Sequence, residues 1–167
     1  EMSPFVESVL HSVPYYTDSA TGARVQDWLT SSMALLLRSR LEKERPKTAD
    51  RAALQLQALV DQYREPAPPA ALRLCHYFLL DYPCCVHLSR ELGERFLGLG
   101  AVRSALELFL PLRLWDDVIV CYQLLGEVEK GKELVLARLS EHPTPSLWCA
   151  LGDLTQNEEH YVKAWRL

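Results

Sequence analysis

Residues 89–109 read SRELGERFLGLGAVRSALELF, and the spacing inside them decides the fold. Leu92 and Gly93 stand together, Phe96 follows, Gly100 marks a break, and Ala105 and Phe109 come after it. Apolar and small residues at intervals of three and four line up on one face of a helix. Gly100 suits the end of a first helix, because glycine adopts the left-handed conformation that closes many helices. Gly93 and Ala105 are small enough for two helices to cross at close range. The stretch therefore predicts a helix, a tight turn and an antiparallel second helix.

The same arrangement recurs downstream. Trp115 and Trp148 are 33 residues apart, and so are Gly131 and Ala164. Three copies emerge, at about 86–112, 115–143 and 145–167. The second carries Trp115, Tyr122, Gly126, Gly131, Val135 and Pro143 in matching places, with Val118-Ile119 where the first has Leu-Gly. The third carries Trp148, Leu151, Gly152, Tyr161 and Ala164, with Glu159 at the place of the turn glycine. Gly152 and Ala164 are expected at the helix crossing of this copy. One hairpin cannot bury its apolar face alone, whereas stacked hairpins can.

On these residues the chain resembles the tetratricopeptide repeat, a helix-turn-helix unit of about 34 residues. A closer likeness covers residues 26–167. WLTSSMALLLRSRLEKERPKTADRAALQLQALVDQY, SALELFLPLRLWDDVIVCY and TPSLWCALGD with YVKAW are similar in order to the eukaryotic tetratricopeptide repeat protein 27 family. The fold class expected is all-α: a TPR-like α-solenoid of antiparallel helix hairpins preceded by N-terminal helices. The resemblance implies an intracellular, non-enzymatic scaffold associated with chaperone-linked assembly of large complexes such as ribonucleoproteins. It also implies longer chains with further repeats after this point.

Upstream of the repeats the pattern predicts residues 1–23 as a short helix (SPFVESVL) and a loop (HSVPYYTDSATGA), and 24–83 as a helical region. Arg24–Lys43 reads as one helix. Pro46 breaks it, and Thr48 is expected to cap a second helix that buries Ala53, Leu56, Val60 and Tyr63. After the linker REPAPPAA a third helix is expected from Pro69 to Leu80. Residues 84–167 form the repeat region.

Forty-nine per cent apolar residues can bury a core, and 24 per cent charged residues argue against disorder. A net charge of −4 argues against direct nucleic-acid binding. No apolar run approaches the roughly 18 residues of a membrane span, and the first ten residues lack the basic-then-apolar order of a signal peptide. Five cysteines, an odd number, fit a reducing compartment, cytoplasmic and possibly nuclear. Glu1 at the start and Leu167 inside a periodic segment suggest the ordered part of a longer protein.

The chemistry-bearing residue types form no catalytic constellation. Cys75-His76 and Cys84-Cys85 with His87 lack the paired knuckles of structural zinc, so a Cys/His metal module is the minor alternative. Cys121 and Cys149 fall at helix positions where small apolar residues pack. GLGAVRSA has no strand before it and is absorbed by the repeat. Asp116-Asp117 suit the positive end of a helix dipole, and Glu158-Glu159 are expected in an exposed turn. No cofactor, metal or small-molecule substrate is implied.

The candidate partner-binding residues are Arg90, Glu94, Asp116, Val120, Leu124, Cys149, Asp153, Gln156 and Asn157, mainly on first helices. An acidic and apolar strip suits helical or basic segments of protein partners. The clamp by which some tetratricopeptide domains grip acidic tails of Hsp70 and Hsp90 is compatible only with Arg90. Glu94, Asp117, Ser146 and Ala150 replace its other groups, and acidic side chains there repel a carboxylate. The other reading is an internal or capping segment of a longer solenoid, with no binding surface of its own.

Overall fold

Caps and short apolar stripes build helices along most of the described residues of the chain, whose structure is a computed structural model describing residues 8, 15–17, 24–74 and 77–167. Two compact units are present, Glu1–Arg95 and Phe96–Leu167. Of the short helix expected before the loop, only Ser8 is described, and it is helical.

In the first unit β1 (Tyr15–Thr17) pairs antiparallel with β2 (Arg24–Gln26), Tyr16 opposite Val25. This corrects two expectations, a structureless loop here and a helix beginning at Arg24. Tyr, Thr and Val favour extended backbone, and the helix signal starts only at Asp27. The Asp27 carboxylate accepts the Thr30 amide at 2.9 Å and the Thr30 hydroxyl, capping α1 (Trp28–Glu42). α1 packs on α2 (Ala49–Asp61), with Leu29, Leu36, Ala53, Leu56, Leu59 and Val60 buried. The buried Ser39 hydroxyl donates to the Ala52 carbonyl at 2.8 Å, so the two backbones come close there.

Thr48 does not cap α2. Its hydroxyl donates to the Glu42 carbonyl at 2.8 Å and to that of Arg45 at 3.3 Å. The carbonyls left over at the end of α1 take the group that α2's first amides would have used. The expected third helix is also shorter: α3 spans Ala70–Leu74, and a 3₁₀ turn covers Tyr77–Leu79. Neither buries a residue. Arg73 instead gathers the Pro-rich linker, donating to the carbonyls of Gln62 (2.8 Å), Glu65 (2.6 Å), Ala67 (3.0 Å) and Pro68 (2.7 Å).

α4 (Cys85–Gly98) buries Leu88, Ser89, Leu92 and Gly93. The second unit then holds α5 (Val102–Leu112), α6 (Trp115–Leu125), α7 (Val128–Glu141), α8 (Pro145–Thr155) and α9 (Glu158–Arg166). Each neighbouring pair packs together from α5 to α9, and α6 also lies beside α8. Ala105, Phe109, Val118 and Cys121 form one buried cluster, with Phe96 and Tyr122 against it. Ile119, Val135, Leu147, Leu151 and Leu154 form the next.

Within this stack the third hairpin departs from its expected geometry. Buried positions do repeat at 33: Val118 with Leu151, Cys121 with Leu154, Gly131 with Ala164. The reversals do not. Gly100 and Gly126 hold φ of 79° and 70°, as expected, but in the third hairpin the left-handed residue is Gln156 at 56°, not Glu159. The turn has moved one helical turn toward the N-terminus, and Glu158 and Glu159 lie in the first turn of α9. Asn157 makes this possible, its side-chain oxygen accepting the Glu159 amide at 3.0 Å as an N-cap.

Gly152 meets the partner helix one turn from Ala164: a side chain there would begin 2.7 Å from the Tyr161 ring, which lies across it. In the preceding hairpin Tyr122 stands on the first helix, and a side chain begun at Gly131 on the second would lie 3.3 Å from the Leu154 methyls and 3.5 Å from the Tyr122 Cβ. Gly152→Leu is expected to drive the Tyr161 ring outward, costing about 1–2 kcal/mol, toward the lower end for overpacking because the ring can swing toward solvent. Chemical denaturation of Gly152→Leu, Tyr161→Ala and the double variant checks this. Additive losses would show that the two positions do not share one space.

Candidate partner-docking surface

α6 begins with Asp116 and Asp117 in its first turn, where carboxylates favour the positive helix end. Its buried side, Val118, Ile119 and Cys121, fixes the rotation of the helix. That rotation turns Asp116, Val120 and Leu124 outward at intervals of four. Val120 is 43 % exposed and Leu124 61 %. α8 is rotated in the same way by Leu147, Leu151 and Leu154, leaving Cys149 and Asp153 exposed. α6 and α8 lie side by side.

Asp153 is already engaged: the Tyr161 hydroxyl donates to its Oδ1 at 2.7 Å. That hydrogen bond raises the Tyr161 pKa. Gln156 and Asn157, two further expected contact residues, are the left-handed turn residue and the N-cap of α9. Their evident work is to reverse the chain. Cys121 is buried, where desolvation raises its thiol pKa, and this favours the inert thiol. Cys149 does not share that fate and is exposed, contrary to the packing role expected for it.

Arg90 and Glu94 belong to the first unit, exposed on α4 and paired with each other at 3.3 Å. They line an open groove of about 700 Å³ with Arg40, Lys43, Glu44, His87, Glu91 and Arg95. Glu91 is gripped by Arg40 at 2.8 Å and by Arg95 at 2.9 Å. Desolvation pushes the Glu91 carboxyl up, but the two guanidinium groups outweigh it and hold the pKa below the ordinary carboxylate value. The groove is therefore largely self-neutralised.

Trp115 and Trp148 sit half-buried, and each receives a cation from the following helix. The Arg138 guanidinium lies 5.4 Å from the Trp115 ring and the Lys163 ammonium 5.1 Å from that of Trp148. His160 also stacks on Trp148. Both tryptophans hold the hairpins together and are not part of the open surface. On α9, Trp165 is 91 % exposed and Val162 49 %.

Among the described residues no three His, Cys, Asp or Glu side chains gather in a way that could hold a metal ion, while Cys75 and His76 lie outside them. No helix among the described residues is long and apolar enough to cross a membrane. The pairing of the Glu42 carboxylate with Arg38 at 3.0 Å and Arg51 at 2.9 Å, and the Arg73 anchor, carried little sign in the sequence. Only Arg38 and Glu42, four apart, carried a local sign of pairing.

Comparison with known proteins finds relatives across the chain. It is 42 % identical over its full length to the tetratricopeptide repeat protein 27 homolog of Dictyostelium discoideum. It is 32 % identical over its full length to a TPR repeat-containing protein of Schizosaccharomyces pombe. A tetratricopeptide repeat-containing protein of Caenorhabditis elegans is 31 % identical over 90 % of the chain. The chain spans 18 %, 23 % and 20 % of the lengths of these proteins. No family model matches it, and no solved structure does.

Proposed function

We propose, from the premise that this chain is a tetratricopeptide repeat protein resembling the tetratricopeptide repeat protein 27 family, that it is a non-enzymatic scaffold holding protein partners. The finer reading is that it acts in chaperone-linked assembly of large complexes such as ribonucleoproteins, in the cytosol or nucleus. The observation that supports docking is the pair of apolar side chains Val120 and Leu124, exposed on a helix whose other side is buried. Exposed apolar groups on a helix so held are what a partner's apolar face covers.

A photo-crosslinking residue at Val120 of the full-length protein tests this, with Lys132 on the second helix α7 as reference. Adducts with other proteins from Val120, and not from Lys132, are expected. Chaperones or subunits of ribonucleoprotein complexes among them support the finer reading, and their absence from the adducts removes it. Adducts only within the same chain would identify the segment as an internal part of a longer solenoid and overturn docking.

A further inference from the structure

The charges of the second unit are sorted by helix. α6 (WDDVIVCYQLL) and α8 (PSLWCALGDLT) contain no Lys or Arg, and their charged residues are Asp116, Asp117 and Asp153. The cations of the second unit lie elsewhere: Arg103 on α5, Arg113 at its end, Lys130, Lys132 and Arg138 on α7, and Lys163 and Arg166 on α9, helices that carry glutamates as well. Most of these are already occupied. Lys130 pairs with Glu127, Lys132 with Glu129 and Arg138 with Glu141, while Lys163 rests on Trp148. The outward side of α6 therefore joins an apolar ridge, Val120 and Leu124, to the Asp116 carboxylate, and the adjacent α8 exposes Cys149 and Asp153.

We propose that this face binds an amphipathic helix of a partner protein that carries Lys or Arg along the edges of its apolar stripe. The inference rests on the docking reading above and gives it a chemical class. Val120 and Leu124 stand one helical turn apart, so they form a ridge that meets a helix's stripe at i, i+3, i+4 and i+7. Carboxylates beside the ridge select cationic flanks by attraction and reject acidic segments by repulsion, as complementary potentials do across interfaces. Acidic tails, the ligand of the better-known basic clamp, meet the wrong sign here.

The test uses three fluorescent peptides of one length and full-length protein. One is a Leu/Lys amphipathic helix, one its Glu-for-Lys counterpart, and one a scramble of the first that keeps charge and loses the stripe. Anisotropy titration should show saturable binding of the Leu/Lys helix alone, weakening as salt rises. Asp116→Lys with Leu124→Ser should weaken it by about tenfold or more, since both attractions are lost. Glu133→Lys on exposed α7 should leave it unchanged. Thermal melting of the variants, at surface positions, confirms that they fold. Equal binding of the scramble or of the Glu peptide overturns the proposal, as does full affinity in the double variant. Crosslinks from Val120 to proteins that lack such a helix would also overturn it, while leaving the docking reading in place.

Discussion

Phe109→Ala is expected to destabilise the protein by about 3–5 kcal/mol, the range for emptying a buried aromatic site. Phe109 is fully buried in the cluster that α5 shares with α6 through Ala105, Val118 and Cys121. The cost should be near the top of the range for a specific reason. Helix faces in a stack bury their apolar surface only against the next element, so a cavity at a junction removes the nearest-neighbour term that couples hairpins. Phe109→Leu fills most of the space and should cost less than about 1.5 kcal/mol. Urea denaturation followed by circular dichroism checks both. A Phe109→Ala midpoint close to that of the parent would mean that α5 and α6 do not share one core.

Glu42→Ala should cost about 2–3 kcal/mol. Its carboxylate is 5 % exposed and receives Arg38 at 3.0 Å and Arg51 at 2.9 Å. Removing one partner of a buried pair normally costs more, because a charge is stranded. Here Arg38 and Arg51 stay 30 % and 55 % exposed and can turn to water, which moderates the loss. The same network sets a pH dependence. Desolvation pushes the Glu42 carboxyl up, but hydrogen bonds and charge from Arg38 and Arg51 outweigh it, and the folded pKa lies below the unfolded one. Its contribution is thus present above the unfolded carboxylate pKa, about 4.3, and is lost as pH falls through the folded value. Glu42→Gln should flatten that part of the acid limb of stability against pH. An unchanged limb would place Glu42 outside the acid transition.

The repeat was legible because packing constrains residue type. Leu92, Gly93, Phe96, Ala105 and Phe109, and later Val118, Leu151 and Ala164, occupy faces where only apolar or small residues fit. The reversals were less legible. A Gly at 126 announces its turn, but Gln156 does not, since side-chain periodicity records which face is buried and not where the backbone turns. Asn157 followed by Glu158 and Glu159 carried the missing sign, an N-cap ahead of an acidic first turn. Thr48 and Asp27 illustrate the same limit. Both are capping residue types, yet one caps a helix while the other bonds back to carbonyls of the helix before it, and only the path of the chain decides which. For the docking surface, the outward places of Val120, Leu124 and Asp153 followed from helical phase. Gln156 and Asn157 sit at the bend itself, because the turn falls three residues earlier than the spacing predicts.

The reversed pairing of Tyr122 with Gly131 and Gly152 with Tyr161 bears on how such modules can be exchanged. Bump and hollow trade strands from one unit to the next, so a grafted half from either hairpin meets its own kind: ring against ring, or gap against gap. Chimeras should work when cut between whole units and fail when cut at the bend inside one. Column-by-column design from an averaged profile would erase the exchange, because the average of the two arrangements is neither of them.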